Sequence, residues 1–178
     1  LERIDLNEQH VQALVLPPTR ELGDQVATEC KRRSAEYPTQ PLLLVGGKPL
    51  RPQMNALRNN PQIVIGTPGR VIDHLQRGTL HLNHLRMVVL DEADRMLDIG
   101  FRPEIEKILR RCPKERQTLL LSATLPEAVE RLAQRYMQEP ERIDVSVGQV
   151  ATENVEQFYC TVEEKRKFGL LVKLLARE

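Results

Sequence analysis

The stretch at residues 87–94, Met-Val-Val-Leu-Asp-Glu-Ala-Asp, constrains the fold of this chain more than any other. An apolar run rich in β-branched residues leads straight into two carboxylates, Asp91 and Glu92. Such a run suits a strand buried on both faces of a parallel sheet. The acids then fall at the carboxyl end of that strand, where open α/β sheets place their ligand chemistry. Neighbouring carboxylates can divide labour there. One holds a hydrated magnesium ion through oxygen, and the other orients and deprotonates a water. Taken alone, the pattern equally describes a solvated turn, or a helix start that favours negative charge.

The remaining apolar runs repeat the same plan. Strands are expected at residues 12–16, 42–45, 62–65, 117–121 and 142–147, besides the one ending at Asp91. Between them, helical patterns are expected at 19–37, 52–59, 70–76, 103–111 and 126–137, with a short helix through Leu97 and the tail of another at 1–8. In the first of these, Leu22, Val26 and Cys30 recur at spacings of four on one face. Pro103 stands in a first-turn position, and Gly78 is placed to close the 70–76 helix. Strand and helix in alternation argue an α/β fold: a three-layer parallel sheet with helices on both faces. The composition shifts to polar residues near 146–154. Beyond it, 155–162 alternates like a strand and 165–177 reads as an amphipathic helix with Leu170, Leu171, Leu174 and Leu175. One strand and one helix cannot bury a core. The expected organisation is therefore a domain at 1–147, a linker at 148–154 and the start of a second domain at 155–178. The chain opens on Leu1 rather than Met, and is expected to be a fragment.

Composition narrows the partners. With 178 residues, 40% apolar and 29% charged, the chain is long enough for one domain with a sizeable core. A net charge of +1 neither demands nor excludes nucleic acid, because a basic face can hide in a neutral total. Trp is absent and aromatics are few, so any RNA is expected to be held by its phosphates and sugars rather than by base stacking. Cys30, Cys112 and Cys160 are odd in number and far apart, which fits a reducing cytoplasm and neither a disulfide framework nor a zinc site. His81 and His84 read as structural or surface histidines. No apolar run approaches a membrane span.

Every strand end carries a polar signal: Pro18-Thr19-Arg20-Glu21-Leu22, then Gly46-Gly47, Thr67-Pro68-Gly69-Arg70, Asp91-Glu92-Ala93-Asp94, and Ser122-Ala123-Thr124. Each piece also reads as an ordinary turn or helix cap. Together, in this order, they resemble the DEAD-box ATP-dependent RNA helicases, as does Asp98-Ile99-Gly100-Phe101. The resemblance covers nearly the whole chain and implies the first RecA-like domain of that family, lacking its N-terminal segment. It implies ATP and magnesium as cofactors, with Asp91 holding the metal through water and Glu92 activating the attacking water. It implies that Asp94, Ser122 and Thr124 couple the nucleotide state to domain closure. It further implies that Thr19, Arg20, Gly47, Thr67, Gly69 and Arg70 grip the RNA backbone without regard to sequence.

The chain also departs from the family. The family's phosphate-binding pattern, Gly-x-x-x-x-Gly-Lys-Ser/Thr, is not found: at the only Gly-Lys pair, Gly47-Lys48, Leu42 stands where the first Gly belongs and Pro49 follows. The adenine-reading glutamine motif and the second domain's arginine motifs are likewise not found. Gly23 stands where the family usually has Ala, and Pro17 is unusual before Pro18. A base needs its water, metal and phosphorus in line, so negligible ATPase is expected of these residues alone. An alternative reading is a natural, non-catalytic RNA-binding or protein-binding module built on the helicase fold. A different nucleotide-binding α/β protein fits the ordered motifs less well. The family's phosphate-loop strand lies between those expected here at 117–121 and 142–147. The resulting gap is expected to be filled by the 142–147 strand, by the 155–162 tail, or by a second chain in a strand-pairing oligomer.

Overall fold

Five of the apolar runs become strands: β1 (Ala13–Leu16), β2 (Leu42–Leu44), β3 (Ile63–Gly66), β4 (Met87–Leu90) and β5 (Gln117–Leu120). They form one sheet in the order β2-β3-β1-β4-β5, with every adjacent pair parallel. The computed structural model describes residues 4–35, 39–145, 156 and 158–176. The chain divides into two compact units, Leu1–Pro140 and Glu141–Glu178.

In the first unit the helices are α1 (Arg20–Arg33), α2 (Leu50–Leu57), α3 (Pro68–Gln76), α4 (Ala93–Asp98), α5 (Arg102–Arg111) and α6 (Glu127–Tyr136). Each starts where the sequence offers a start. Thr19 caps α1, its Oγ1 accepting the Leu22 N–H at 3.2 Å. Pro68 and Pro103 occupy the first turns of α3 and α5, where a missing N–H costs nothing.

The two faces of the sheet are covered unequally. Leu14, Leu16, Leu44, Val64, Val88 and Leu90 join one large core with Val71 of α3, Met96 of α4, Ile105 and Ile108 of α5, and Val129 and Leu132 of α6. All of these are essentially inaccessible, and each such side chain contributes roughly 1.5–3 kcal/mol by leaving water. The other face carries Ala13, Ile63 and Ile65 against Ala27 of α1, with Val15, Val26, Cys30, Leu43 and Met87 only partly buried. β4 was expected to be buried on both faces. Val88 and Leu90 are buried, whereas Met87 and Val89 are half-buried, because they lie on the thinly covered side.

Several expectations fail, each for a physical reason. Residues 4–8 are turns, not helix. The buried Gln12 side chain takes their backbone groups, accepting the Asp5 N–H at 2.8 Å and donating to Asp5 O at 2.7 Å and Glu8 O at 3.1 Å. The first helix stops at Arg33, and its expected end at Tyr37 lies outside the described residues. Residues 142–145 form no strand, and Ile143 and Val145 are exposed. Alternation prepares side chains for a pleated surface, but the backbone still needs a neighbour. Residues 158–162 likewise form no strand, and the expected linker lies outside the described residues. In the second unit α7 (Lys167–Leu175) forms but buries none of its residues.

The sheet order therefore ends at β5, and neither in-chain filling of its outer side exists among the described residues. The expected strand-pairing oligomer gains no support from this fold.

Candidate functional site

Because all five strands are parallel, their carboxyl ends share one edge, and the sheet order decides which loops are neighbours. The loops after β2, β3 and β1 stand side by side, followed by those after β4 and β5.

The first three loops are tied together. Gly47 adopts φ +75°, and a Cβ there would run into the Arg20 guanidinium, so the loop after β1 lies directly on the loop after β2. Arg70 of α3 donates through Nη1 to Lys48 O at 3.1 Å. Lys48 Nζ pairs with Asp24 Oδ1 of α1 at 3.1 Å. Thr67 is buried and its N–H donates to Leu44 O at 3.1 Å. Gly69 is exposed, and a Cβ there would meet nothing. The expected residues Thr19, Arg20, Gly47, Thr67, Gly69 and Arg70 thus lie on three adjacent loops. The Thr19 hydroxyl already accepts the Leu22 N–H as a cap.

The acidic loop is built differently. The Asp91 N–H donates to Leu16 O at 3.0 Å, which carries the β1–β4 ladder into the turn. Glu92 is left-handed, with φ 48° and ψ 56°, a conformation that costs a non-glycine residue about 1–2 kcal/mol. Its carboxylate pairs with Arg95 Nη1 at 3.1 Å. Burial pushes the Asp91 carboxyl above its usual range; the Glu92 N–H opposes this, and the Glu92 charge adds to it. Asp94 points to the loop after β5. Its Oδ2 accepts the Thr124 hydroxyl at 2.7 Å and the Thr124 N–H at 2.9 Å, and its own N–H donates to Ser122 Oγ at 3.2 Å. The Thr124 hydroxyl, first among these contacts, holds the Asp94 carboxyl below the usual range. The structure therefore brings Asp94, Ser122 and Thr124 into contact.

Sequence reasoning missed two residues that shape this edge. One is Gly66, at the end of β3. A Cβ on it would lie 2.7 Å from Val71 Cγ2 and 2.9 Å from Leu44 O, so this glycine permits β3 to seat against α3 and β2. The other is Gln53, which is buried four residues before the buried Leu57. That spacing, a polar residue on the inward face of α2, was the available signal. The two departures at Pro17 and Gly23 also meet in space. A Cβ on Gly23 would stand 3.3 Å from Leu43 Cδ1 and 3.4 Å from the Pro17 ring, so the tighter approach is to the leucine and the proline is an ordinary neighbour.

Fold and edge together define an α/β domain whose ligand chemistry is concentrated on loops at the carboxyl ends of parallel strands. The sequence profile of the DEAD/DEAH box helicase family matches residues 1–132. The chain belongs to that family. It is 46% identical over 175 residues to the DEAD-box ATP-dependent RNA helicase CshA of Geobacillus kaustophilus (strain HTA426), covering 98% of this chain and 38% of that protein. It is 43% identical over 175 residues to CshA of Bacillus subtilis (strain 168), covering 98% and 35%. The crystal structure of a DEAD box protein from the hyperthermophile Methanococcus jannaschii superposes with a TM-score of 0.78 at 41% identity, covering 98% of this chain and 46% of that one. The chain thus spans less than half the length of these relatives.

Proposed function

We propose that this chain supplies the RNA grip and the water-activating acids of an ATP-dependent RNA helicase that remodels RNA duplexes or RNA–protein complexes. The observation that carries the reading is the single edge on which Arg20, Gly47, Thr67 and Arg70 stand beside Asp91, Glu92 and Asp94. Two guanidiniums, a glycine turn and the N-terminus of α3 suit phosphate oxygens and ignore the bases. Glu92 is the base that orients and deprotonates the attacking water. Asp94 reports the state of this loop to Ser122 and Thr124. Domain closure would use that link, with residues 155–178 belonging to the following domain.

Asp91 fits magnesium. Its half-buried carboxylate is poorly solvated, and a hydrated magnesium ion needs only one or two protein carboxylates. When bound, magnesium would neutralise phosphate charge beside these acids. The described residues offer no such fit for the triphosphate of ATP, because the glycine-rich cradle is not in this sequence. These 178 residues by themselves are accordingly proposed not to turn over ATP. The cytoplasm is the proposed compartment, since Cys30, Cys112 and Cys160 are all free thiols. Among the described residues no helix is long and apolar enough to cross a membrane.

The test is binding of labelled oligouridine and of a mixed-sequence RNA, followed by fluorescence anisotropy at several salt concentrations. Similar affinity for both, falling with salt and weakened about tenfold or more in Arg20→Ala, is expected. Equal affinity in wild type and Arg20→Ala overturns the reading. ATP turnover at helicase-like rates by the isolated chain overturns the statement on catalysis.

A further inference from the structure

The amide of Gln53 is committed to one loop. Its Nε2 donates to Val45 O at 3.2 Å, Pro49 O at 3.2 Å and Lys48 O at 3.4 Å. One of these carbonyls precedes the Gly46-Gly47 pair and the other two follow it, so a single side chain closes the turn from inside. The orientation of the amide is settled by its surroundings. Exchanging oxygen and nitrogen would aim lone pairs at three carbonyl oxygens. The consequence falls on Oε1, which is buried and has no partner. The amide thus leaves one of its own polar atoms unmatched while its N–H groups serve carbonyls on both sides of the glycine pair. Its contribution lies in those carbonyls rather than in apolar packing.

What the amide does account for is the shape of the loop. Gly47 is held at φ +75° beneath the Arg20 guanidinium, and Lys48 O is turned to receive Arg70 Nη1. Both arginines depend on a backbone segment whose flanking carbonyls Gln53 fixes. We propose that Gln53 is a positioning residue for RNA binding: it holds residues 45–49 in the one conformation that sets Arg20 and Arg70 side by side on the phosphate path. This rests on the RNA reading of the edge. Gln53 itself lies under the loop and touches no RNA.

The test is Gln53→Met, an apolar side chain of similar length, in the whole chain. Three readouts are taken together: chemical denaturation, amide hydrogen exchange at Gly47 and Lys48, and oligouridine affinity. Expected are a modest loss of stability that leaves the chain folded, because the buried Val45 O loses its donor, together with faster exchange at those two amides and roughly tenfold weaker RNA binding. In an Arg20→Ala background the same change should weaken binding much less, because the group that the loop positions is already gone. Gln53→Glu, which keeps the shape but sets a carboxylate against the carbonyls, should weaken RNA binding further. A Gln53→Met protein that binds RNA as wild type does, or that loses affinity only in step with global unfolding, overturns the proposal. Unchanged exchange at Gly47 and Lys48 overturns it too, whatever the RNA result. Failure of the wild-type chain to bind RNA instead strikes the reading of the edge on which the proposal stands.

Discussion

The loops after β2, β3 and β1 and the loops after β4 and β5 occupy one edge but are held in opposite ways. The first group is cross-braced: Arg20 lies on Gly47, Arg70 reaches Lys48 O, Lys48 reaches Asp24, and Gln53 closes the turn from below. Buried Thr67 and the close seat of Gly66 anchor it to the core. In the second group the side-chain link between the two loops runs from Asp94 to Ser122 and Thr124, and Leu121, Ala123, Thr124 and Leu125 are exposed. A surface that must match the fixed spacing of phosphates gains from redundancy, because rigidity is settled before binding. The proposed coupling instead rests on one exposed aspartate and two hydroxyl residues. The proposed division into grip and coupling is thus paralleled by a division in how firmly each part is fastened.

The comparison can be broken most severely at Gly66. Gly66→Val should cost about 3 kcal/mol or more, because its first carbon would meet Leu44 O as well as Val71. Gly69→Ala, on the same loop but in open space, should be close to neutral, and urea denaturation of both variants separates close packing from mere glycine content. A smaller effect is expected at the other end of the edge. Asp94→Asn should cost about 1 kcal/mol, since charge-assisted bonds to an exposed threonine are partly replaced by water. Its pH dependence follows from the lowered carboxyl. The contribution is fully present above the unfolded Asp value of about 3.9 and fades as the pH falls through the lower folded value, so wild type and variant should converge only in strong acid.

The smallest effect belongs to His74, on the braced side. It is buried in α3, with Nδ1 2.8 Å from Thr79 Oγ1 and Nε2 without a partner. Burial, with Arg70 next, lowers its pKa, while Asp73 opposes this and Arg77 reinforces it. A lowered histidine binds its proton more weakly when folded. Its stabilising contribution is therefore complete above the unfolded value of about 6.5 and is lost as the pH falls through the folded one. His74→Gln should flatten the stability profile in mildly acid solution, where Asp94→Asn lowers stability by a constant amount and leaves the slope unchanged. A profile insensitive to His74→Gln there would remove this distinction between the two regions.

Much of this was legible in the residues. Apolar runs bounded by Pro, Gly and paired acids located β1 to β5 within a residue or two, because burial on a parallel sheet demands such runs. The pairing of Asp94 with Ser122 and Thr124 came from the resemblance, since nothing in their spacing predicts contact across 28 residues. Residues 142–145 show the limit of pattern reading: Ile143 and Val145 alternate correctly, yet a strand is a relation between two segments. Gln53 shows another limit. A glutamine in a short helix looks solvent-bound until the turn it fastens is seen. Gly23 and Pro17 looked like independent oddities, and the fold makes them neighbours.

Glu92 carries a last consequence. Its left-handed backbone is one that glycine would adopt freely, and every other residue there forfeits some stability. Selection of random variants for heat tolerance alone should therefore favour Glu92→Gly, discarding the carboxylate proposed to activate water. If the proposed role holds, retaining an acid at this bend is a choice that only a screen of a longer protein with the complete phosphate site would reward, which makes position 92 a place where hardiness and usefulness pull a library in opposite directions.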